Sequence, residues 1–263
     1  MLIETSRLTF NCAIDGPDDA PPVVFSNSLG ASLAMWQPQV DALAREFRVI
    51  RYDQRGHGAS GLPPGPYEFP ALVDDVIALL DALGLQRVHF VGLSMGGMTA
   101  LGLALAQPAR LRSITAANCV ARMGPAVHAV WDERARIARE QGMAPLVAPS
   151  LERWFKADTR QSRSAELAWA GEMLAATPVA GYAAACGALK TMDYLDALPA
   201  ITVPTLFIAG VHDAGAPLEA MREMHARVPG SKLVELDAAH VSNLERPAAF
   251  TAALRDFLRE HPR

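Results

Sequence analysis

The sequence is poor in cysteine, with 3 residues in 263, and it contains no C-x-x-C pair. Cys12, Cys119 and Cys186 are widely separated, which argues against a disulfide framework and favours a reducing compartment. The first residues carry no basic start followed by an apolar run, so we expect no secretory signal. No apolar stretch approaches the roughly 20 residues of a membrane-spanning helix. These absences predict a soluble, cytoplasmic protein.

The chain also has only a small excess of one charge sign. The formal net charge is −4 and no basic patch or stripe stands out, so we expect no nucleic-acid partner. The chain has no H-x-H or H-E-x-x-H spacing and no G-x-G-x-x-G opening a strand–helix unit, so we expect no metal and no dinucleotide cofactor. Hydrophobic residues make up 51% of the chain and charged residues 20%, which allows a large core.

Strand-like segments alternate with helical segments over most of the chain. The strand-like segments are apolar along their whole length, as in RVHFVGL and TLFIAG. Because such strands are typical of a parallel sheet covered on both faces, the pattern predicts an α/β fold. Between about Arg122 and Met192 helix formers and tryptophan replace this pattern. We therefore predict a core domain of residues 1–121 and 193–263, interrupted by a helical cap of residues 122–192.

One serine in the chain is ringed by glycines. Gly92, Ser94 and Gly96 form a G-x-S-x-G motif between a predicted strand and a predicted helix, which is the context that this motif requires. A strand that turns so sharply into a helix brings together the positions two before and two after the serine, where side chains would clash. The motif predicts that Ser94 is a nucleophile beside a helix N-terminus, whose free N–H groups favour developing negative charge.

A serine hydroxyl is a weak nucleophile and needs a base. His240 lies in a loop after a predicted strand and before the last helix, and it follows every candidate acid in the chain order that this motif favours. We predict that His240 is the base. The six other histidines lie in a turn-rich loop, in a strand, in helical stretches, directly after an earlier strand or in the tail: His57, His89, His128, His225, His212 and His261.

Two aspartates compete for the role of the acid that orients the base. Asp213 directly follows a predicted buried strand, whereas Asp237 precedes His240 by three residues and is expected to cap or turn the same loop. The strand end before the cap, TAANC, offers no carboxylate. We therefore favour Asp213, which would accept a hydrogen bond from the imidazole and fix its tautomer.

Stabilising an oxyanion takes two N–H donors. The residue after the nucleophile, Met95, is predicted to supply one, and the loop after an earlier strand supplies the other. That loop reads NSLG, and Leu29 is the predicted second donor. A plain turn at NSLG is equally compatible with the sequence.

Several motifs together resemble the α/β-hydrolase superfamily and, within it, the 3-oxoadipate enol-lactonases. The residues that carry the resemblance are NSLGASLAMWQPQV, FRVIRYDQRGHGAS, VGLSMGGM, RWF, GVHD and LDAAHVSNLERP. The resemblance implies the same five roles for Ser94, Asp213, His240, Leu29 and Met95. It also implies hydrolysis of an enol-lactone in the β-ketoadipate route of aromatic degradation, without any cofactor. The residues after Asp213 read AGAP, where such sequences often carry Thr-Pro or a similar pair, so this departure leaves the substrate preference open.

The substrate that this resemblance implies carries a free carboxylate, so we expect a cation or convergent donors in its pocket. From Ala121 to Met192 the chain has nine lysines and arginines against seven acidic residues. Arg134, Trp131 and Trp154 are the candidate lining residues. A solvated helix face for the arginine and a place in the cap core for the tryptophans remain alternatives.

Other functions are compatible with the same residues. A general carboxylesterase or a cofactor-free perhydrolase would use the same triad with a different pocket. A small-ligand receptor of this fold would turn its ligand over slowly or not at all, and a scaffold would have a blocked pocket. A haloalkane dehalogenase is disfavoured, because that chemistry needs a carboxylate nucleophile where this chain has Ser94. The oligomeric state and the identity of the lactone remain open.

Overall fold

The computed structural model describes residues 1–262 and contains one eight-stranded sheet. The strands are β1 (Leu2–Glu4), β2 (Thr9–Asp15), β3 (Pro22–Ser26), β4 (Arg48–Tyr52), β5 (Val88–Leu93), β6 (Leu111–Ala117), β7 (Thr205–Gly210) and β8 (Lys232–Leu236). Their order in the sheet is β1-β2-β4-β3-β5-β6-β7-β8. The pairings of β1 with β2 and of β2 with β4 are antiparallel, and all the others are parallel. The predicted, mostly parallel α/β sheet is confirmed.

Eleven α-helices occur in the part of the chain that the structure describes. They are α1 (Gln37–Leu43), α2 (Phe69–Ala82), α3 (Met95–Ala106), α4 (His128–Gln141), α5 (Ala144–Trp154), α6 (Ala157–Ser162), α7 (Ser164–Ala175), α8 (Val179–Thr191), α9 (Leu218–Arg227), α10 (Ser242–Glu245) and α11 (Pro247–Glu260). The strands β5 and β7 are buried at every position, because helices cover both faces of the sheet. The strand β1 and the four-residue α10 were not predicted, since both are too short to show a periodic pattern.

Helices α4 to α8 form an insertion between β6 and β7. The two ends of the insertion lie side by side, because Arg122 and Asp193 form an isolated antiparallel bridge and their side chains an ion pair at 2.8 Å. The division into a core and a cap of residues 122–192 remains a prediction, and Arg263 of the predicted core lies outside the described residues.

The sheet topology decides where polar groups meet. Six neighbouring strands, β4, β3, β5, β6, β7 and β8, run parallel, so their carboxyl ends open at one edge of the sheet. Ligands of open α/β sheets bind outside that edge. No helix within residues 1–262 combines the length and the apolar character that crossing a bilayer requires.

Candidate active site

The turn between β5 and α3 holds Ser94 in a conformation that few residues other than glycine adopt, with φ 56° and ψ −116°. A Cβ atom on Gly92 would lie 2.0 Å from the Gly96 carbonyl oxygen, and one on Gly96 would lie 2.1 Å from the Ser26 carbonyl oxygen. Only glycine fits at these two positions, as the sequence predicts. The turn leaves Met95 as the first residue of α3, where an N–H has no partner within the helix.

Asp213 and His240 follow β7 and β8 and are hydrogen-bonded to each other. The His240 Nδ1 lies 2.8 Å from the Asp213 Oδ2, and the aspartate side chain is fully buried. The other carboxylate oxygen accepts the N–H groups of Gly215 at 2.8 Å and Ala216 at 3.0 Å. Burial alone would raise the pKa of Asp213, but the neighbouring imidazole and these hydrogen bonds outweigh it and lower that pKa. The ionised carboxylate therefore fixes the His240 tautomer and leaves Nε2 free to take a proton.

Ser94 and His240 line the same cavity beneath the inserted helices. Within residues 1–262 the Ser94 Oγ makes no hydrogen bond. Contacts between a nucleophile and its base are often long in the free enzyme and shorten when substrate binds. The predicted nucleophile and base therefore line one cavity, and the predicted acid is hydrogen-bonded to that base.

A fourth polar side chain, which sequence reasoning missed, supports this pair. Asn118 follows β6, and its side-chain amide donates to the Asp213 Oδ2 at 3.0 Å and to the Ala239 carbonyl at 3.1 Å. Its φ of 46° is in the left-handed region, which asparagine tolerates better than most residues. The signal available in the sequence was an asparagine directly after a predicted buried strand, whereas the place of that strand in the sheet comes from the structure.

The rival acid Asp237 lies elsewhere. Its carboxylate accepts hydrogen bonds from Lys156 Nζ at 2.6 Å, Arg246 Nη2 at 3.0 Å and His212 Nε2 at 2.9 Å, and it is exposed. The hydrogen bonds from Lys156 and Arg246 hold its pKa well below the usual range. Asp237 thus belongs to a surface ion-pair cluster and not to the His240 imidazole.

The loop after β3 brings the predicted oxyanion donor to the cavity. Gly30 has a φ of 75°, and its N–H donates to the His57 Nε2 at 3.1 Å. The Ala31 N–H donates to the Ser28 carbonyl at 3.1 Å, whereas the Leu29 N–H finds no acceptor in residues 1–262. The Gly96 N–H donates to the Asn27 carbonyl at 3.0 Å and so ties this loop to the start of α3. Leu29 and Met95 therefore each have an unused N–H in the described residues, and Leu29 lines the cavity together with Ser94.

The predicted cap residues Trp131, Arg134 and Trp154 all line the cavity. Arg134 is 8% exposed, and it donates to the Tyr182 hydroxyl at 2.8 Å and to the Ser150 hydroxyl at 2.7 Å. No carboxylate lies within ion-pair distance of Arg134 in the described residues. A solvated helix face for Arg134, the alternative at the outset, is therefore wrong.

Arg153 lines the same cavity and was missed from the sequence, although the motif RWF contains it. Its Nε is buried and without a hydrogen-bond partner, and no carboxylate pairs with it in residues 1–262. Burial and the charge of Arg134 lower the pKa of its guanidinium. The indole N–H of Trp131 is likewise buried and without a partner. The cavity lining thus includes two guanidinium groups without a carboxylate partner and an indole N–H without an acceptor in residues 1–262.

Metal ligands are not part of this arrangement: no three histidine, cysteine or acidic side chains cluster as a metal site within residues 1–262. The cavity therefore offers a serine, a histidine–carboxylate pair and free N–H groups, which are the parts that acyl transfer needs. Its guanidinium groups suit the binding of an anionic substrate.

The family described as the alpha/beta hydrolase fold matches residues 21–247. The chain belongs to this family. It is 40% identical over 261 residues to 3-oxoadipate enol-lactonase 1 of Acinetobacter baylyi, covering 98% of this chain and 96% of that protein. The crystal structure of the enol-lactonase from Burkholderia xenovorans LB400 superposes with a TM-score of 0.95 at 42% identity, covering 98% and 100% of the two chains. A malate-bound thermophilic esterase from Thermogutta terrifontis reaches a TM-score of 0.93 at 29% identity, covering 100% of this α/β-hydrolase and 99% of that chain.

Proposed function

We propose that this α/β-hydrolase is a 3-oxoadipate enol-lactonase, which opens an enol-lactone to 3-oxoadipate through an acyl-enzyme on Ser94. The observation that carries the proposal is the pair of arginines in the cavity of Ser94 and His240. Arg134 and Arg153 have no carboxylate partner of their own in the described residues. A buried guanidinium without a carboxylate partner is costly, and a substrate carboxylate relieves that cost.

The first half of the reaction would acylate the serine. His240 Nε2 takes the Ser94 hydroxyl proton as Oγ attacks the lactone carbonyl, and the N–H groups of Leu29 and Met95 donate to the oxyanion. The tetrahedral intermediate then collapses, the bond to the ring oxygen breaks, and His240 returns the proton to the departing enol oxygen. Asp213, hydrogen-bonded to Nδ1 at 2.8 Å, stabilises the imidazolium that forms between the two transfers.

The second half would release the product. A water molecule gives its proton to His240 and attacks the acyl carbonyl, and Ser94 leaves with that proton. The enol formed in the first half tautomerises to the ketone, which makes the overall hydrolysis favourable without any cofactor. The leaving enol stays in the product because the ester is cyclic, so one molecule of 3-oxoadipate is released per turnover.

The relatives support this substrate class. The similar proteins of Acinetobacter baylyi and Burkholderia xenovorans are enol-lactonases, and the similar esterase holds malate, which is a dicarboxylate. We further propose that the reaction serves the β-ketoadipate route of aromatic degradation in the cytoplasm. The cysteines support that compartment, since Cys12, Cys119 and Cys186 are all buried free thiols.

Steady-state hydrolysis of 3-oxoadipate enol-lactone tests the proposal, followed by the loss of ultraviolet absorbance. We expect a kcat/KM above about 10⁴ M⁻¹s⁻¹ for the parent protein and a collapse of that activity in Ser94→Ala. Slow turnover of the lactone beside fast hydrolysis of a neutral aryl ester would instead indicate a general carboxylesterase. Turnover of neither substrate would overturn the proposal and favour a ligand receptor.

A further inference from the structure

A buried carboxylate outside the predicted triad connects the inserted helices to the histidine loop. Glu245, the last residue of α10, is 0% exposed, and no lysine, arginine or histidine lies within ion-pair distance of its carboxylate in residues 1–262. Burying a carboxylate without a cation is costly unless hydrogen-bond donors surround it. Hydrogen-bond donors must therefore surround the Glu245 carboxylate, and no step of the proposed reaction uses this residue.

The donors to Glu245 come from two separate parts of the chain. Its Oε2 accepts the N–H of Ala239, the residue directly before His240, at 2.5 Å. Its Oε1 accepts the Lys156 N–H at 2.9 Å and the hydroxyl of Thr159, both in the inserted segment. The carboxylate thus joins the histidine loop to the end of the segment that carries Arg153 and Trp154.

Two more hydrogen bonds hold the peptides beside His240. The Ala239 carbonyl accepts the Asn118 side-chain amide at 3.1 Å, and the Val241 N–H donates to the Trp154 carbonyl at 3.2 Å. Hydrogen bonds therefore hold three successive peptide groups, through the Ala239 N–H, the Ala239 carbonyl and the Val241 N–H. The first bond goes to Glu245, which also binds the inserted segment, and the third goes to that segment directly. A loop held in this way keeps its imidazole in one position, and acyl transfer is sensitive to such positions at the level of about 1 Å.

We propose that Glu245 is a positioning residue of the reaction, which holds His240 in register with Ser94 through the Ala239 peptide and makes the inserted segment a fixed part of that support. The inference rests on the proposed role of His240 as the base. A carboxylate suits this role because its two acceptor oxygens satisfy the Ala239 N–H on one side and the Lys156 N–H on the other. A carboxamide would present an NH₂ group to one of these donors.

The test combines Glu245→Gln with two variants of the partner hydroxyl. Thr159→Val removes the hydroxyl at nearly constant volume, and Thr159→Ser keeps it. The matched control is Glu223→Gln, since Glu223 is exposed on α9 and its carboxylate bonds only to Arg227 within residues 1–262. For each folded protein we would measure kcat and KM on the enol-lactone and on a neutral aryl ester, and the rate at which a fluorophosphonate labels Ser94.

We expect Glu245→Gln to lower kcat on both substrates and the labelling rate by roughly 10- to 100-fold, with KM nearly unchanged. Thr159→Val should lower the same quantities by a smaller factor, Thr159→Ser should restore them, and Glu223→Gln should match the parent. Because the Thr159 variants disturb one hydroxyl only, they test the inference even if Glu245→Gln does not fold.

Different results would overturn different statements. If the parent is labelled but fails to open the enol-lactone, the substrate is wrong while the labelling rates still decide the role of Glu245. A raised KM for the lactone alone, with unchanged labelling, would show that Glu245 supports only the cavity wall. A lower melting temperature with parent-like kinetics would show a role in folding stability alone. A parent that is not labelled would overturn the role of Ser94 and, with it, that of Glu245.

Discussion

Asn118 donates its side-chain amide to the Asp213 Oδ2 at 3.0 Å, the same oxygen that lies 2.8 Å from the His240 Nδ1. The contact joins residues after β6 and β7, which are neighbours in the sheet but are separated in the chain by the whole inserted segment. An amide donor stabilises the ionised form of the aspartate and aims the oxygen at the imidazole. The strand that offered no carboxylate thus contributes a hydrogen bond instead.

Replacing the Asn118 amide by a carboxylate keeps the shape of the side chain and turns its hydrogen-bond donor into an acceptor. In Asn118→Asp an acceptor oxygen faces the Asp213 Oδ2 where a donor stood, so we expect kcat/KM to fall by roughly 10- to 100-fold. Ser242→Ala, which removes only a hydroxyl bonded to the Asn118 Oδ1, should cost about threefold. Steady-state kinetics on a neutral ester checks both values. Parent-like activity in Asn118→Asp would contradict any role of this residue in orienting Asp213.

The two candidate acids can be separated by the same isosteric change. Asp213→Asn removes the charge that fixes the tautomer of His240, and we expect kcat to fall by about 10⁴-fold. Asp237→Asn weakens an exposed ion-pair cluster with Lys156, and such clusters contribute little. Its kcat should stay within about threefold of the parent. A larger loss in Asp237→Asn than in Asp213→Asn would reverse the assignment.

The sequence carried enough information to predict the sheet and the glycine-flanked turn at Ser94, and to nominate Asp213 and His240 as candidate partners of that serine. Gly92 and Gly96 indicate a steric constraint that is local in the chain. A Cβ atom on either residue would lie only 2.0 or 2.1 Å from a backbone carbonyl oxygen, so no larger residue fits. Asp213 and His240 could be placed because parallel strands end at one edge of a sheet, so a residue directly after a strand is already near the site.

The supporting residues could not be predicted in the same way. The role of Asn118 depends on the position of β6 between β5 and β7, which is a property of strand order and not of any local pattern. Glu245 lies in a helix of four residues that folds back on the histidine loop, too short for a periodic signal. Arg153 follows a proline-containing stretch of α5, and only the packing of that helix shows which side chains face the cavity.

The steric constraint at the turn before α3 can be tested by comparing alanine substitutions at a crowded glycine, Gly92, and at an uncrowded one, Gly124. Gly92→Ala drives a methyl group against the Gly96 backbone, so we expect the free energy of unfolding to fall by at least about 2 kcal/mol, with loss of phosphonate labelling at Ser94. Nothing lies within 4 Å of a Cβ built on Gly124, and Gly124→Ala should change stability by less than about 0.5 kcal/mol. Chemical denaturation checks both. Equal stability of the two variants would refute the steric argument.

The arginines of the cavity predict a selective loss of affinity. Arg153→Met keeps most of the side-chain length and removes the charge, and we expect KM for the enol-lactone to rise by roughly 10- to 100-fold while kcat/KM for a neutral ester stays near the parent value. Arg153 is the better probe, because Arg134 also holds Tyr182 and Ser150. Arg136→Met on the exposed face of α4 is the control. An equal loss on both substrates would point to damage of the cavity and not to carboxylate recognition.

The last prediction concerns a histidine in the core. His89 on β5 is 0% exposed, and burial followed by the charge of Arg112 lowers its pKa from 6.5 to about 3. Between pH 6.5 and about pH 3, His89 therefore binds a proton in the unfolded chain and stays neutral in the folded chain. Its contribution to the free energy of unfolding is complete above about pH 6.5 and is lost as the pH falls below that value.

Between about pH 7.5 and pH 5 this one group should lower the free energy of unfolding by about 2 kcal/mol. His57 is buried as well, and its lowered pKa acts in the same direction. Urea denaturation of the parent and of His89→Leu at both pH values isolates the contribution of His89, because the constant cost of the substitution cancels within each protein. The drop in the variant should be smaller by about 2 kcal/mol. Equal drops in the two proteins would mean that His89 is protonated in the folded state and that its Nε2, which has no hydrogen-bond partner in residues 1–262, is open to water.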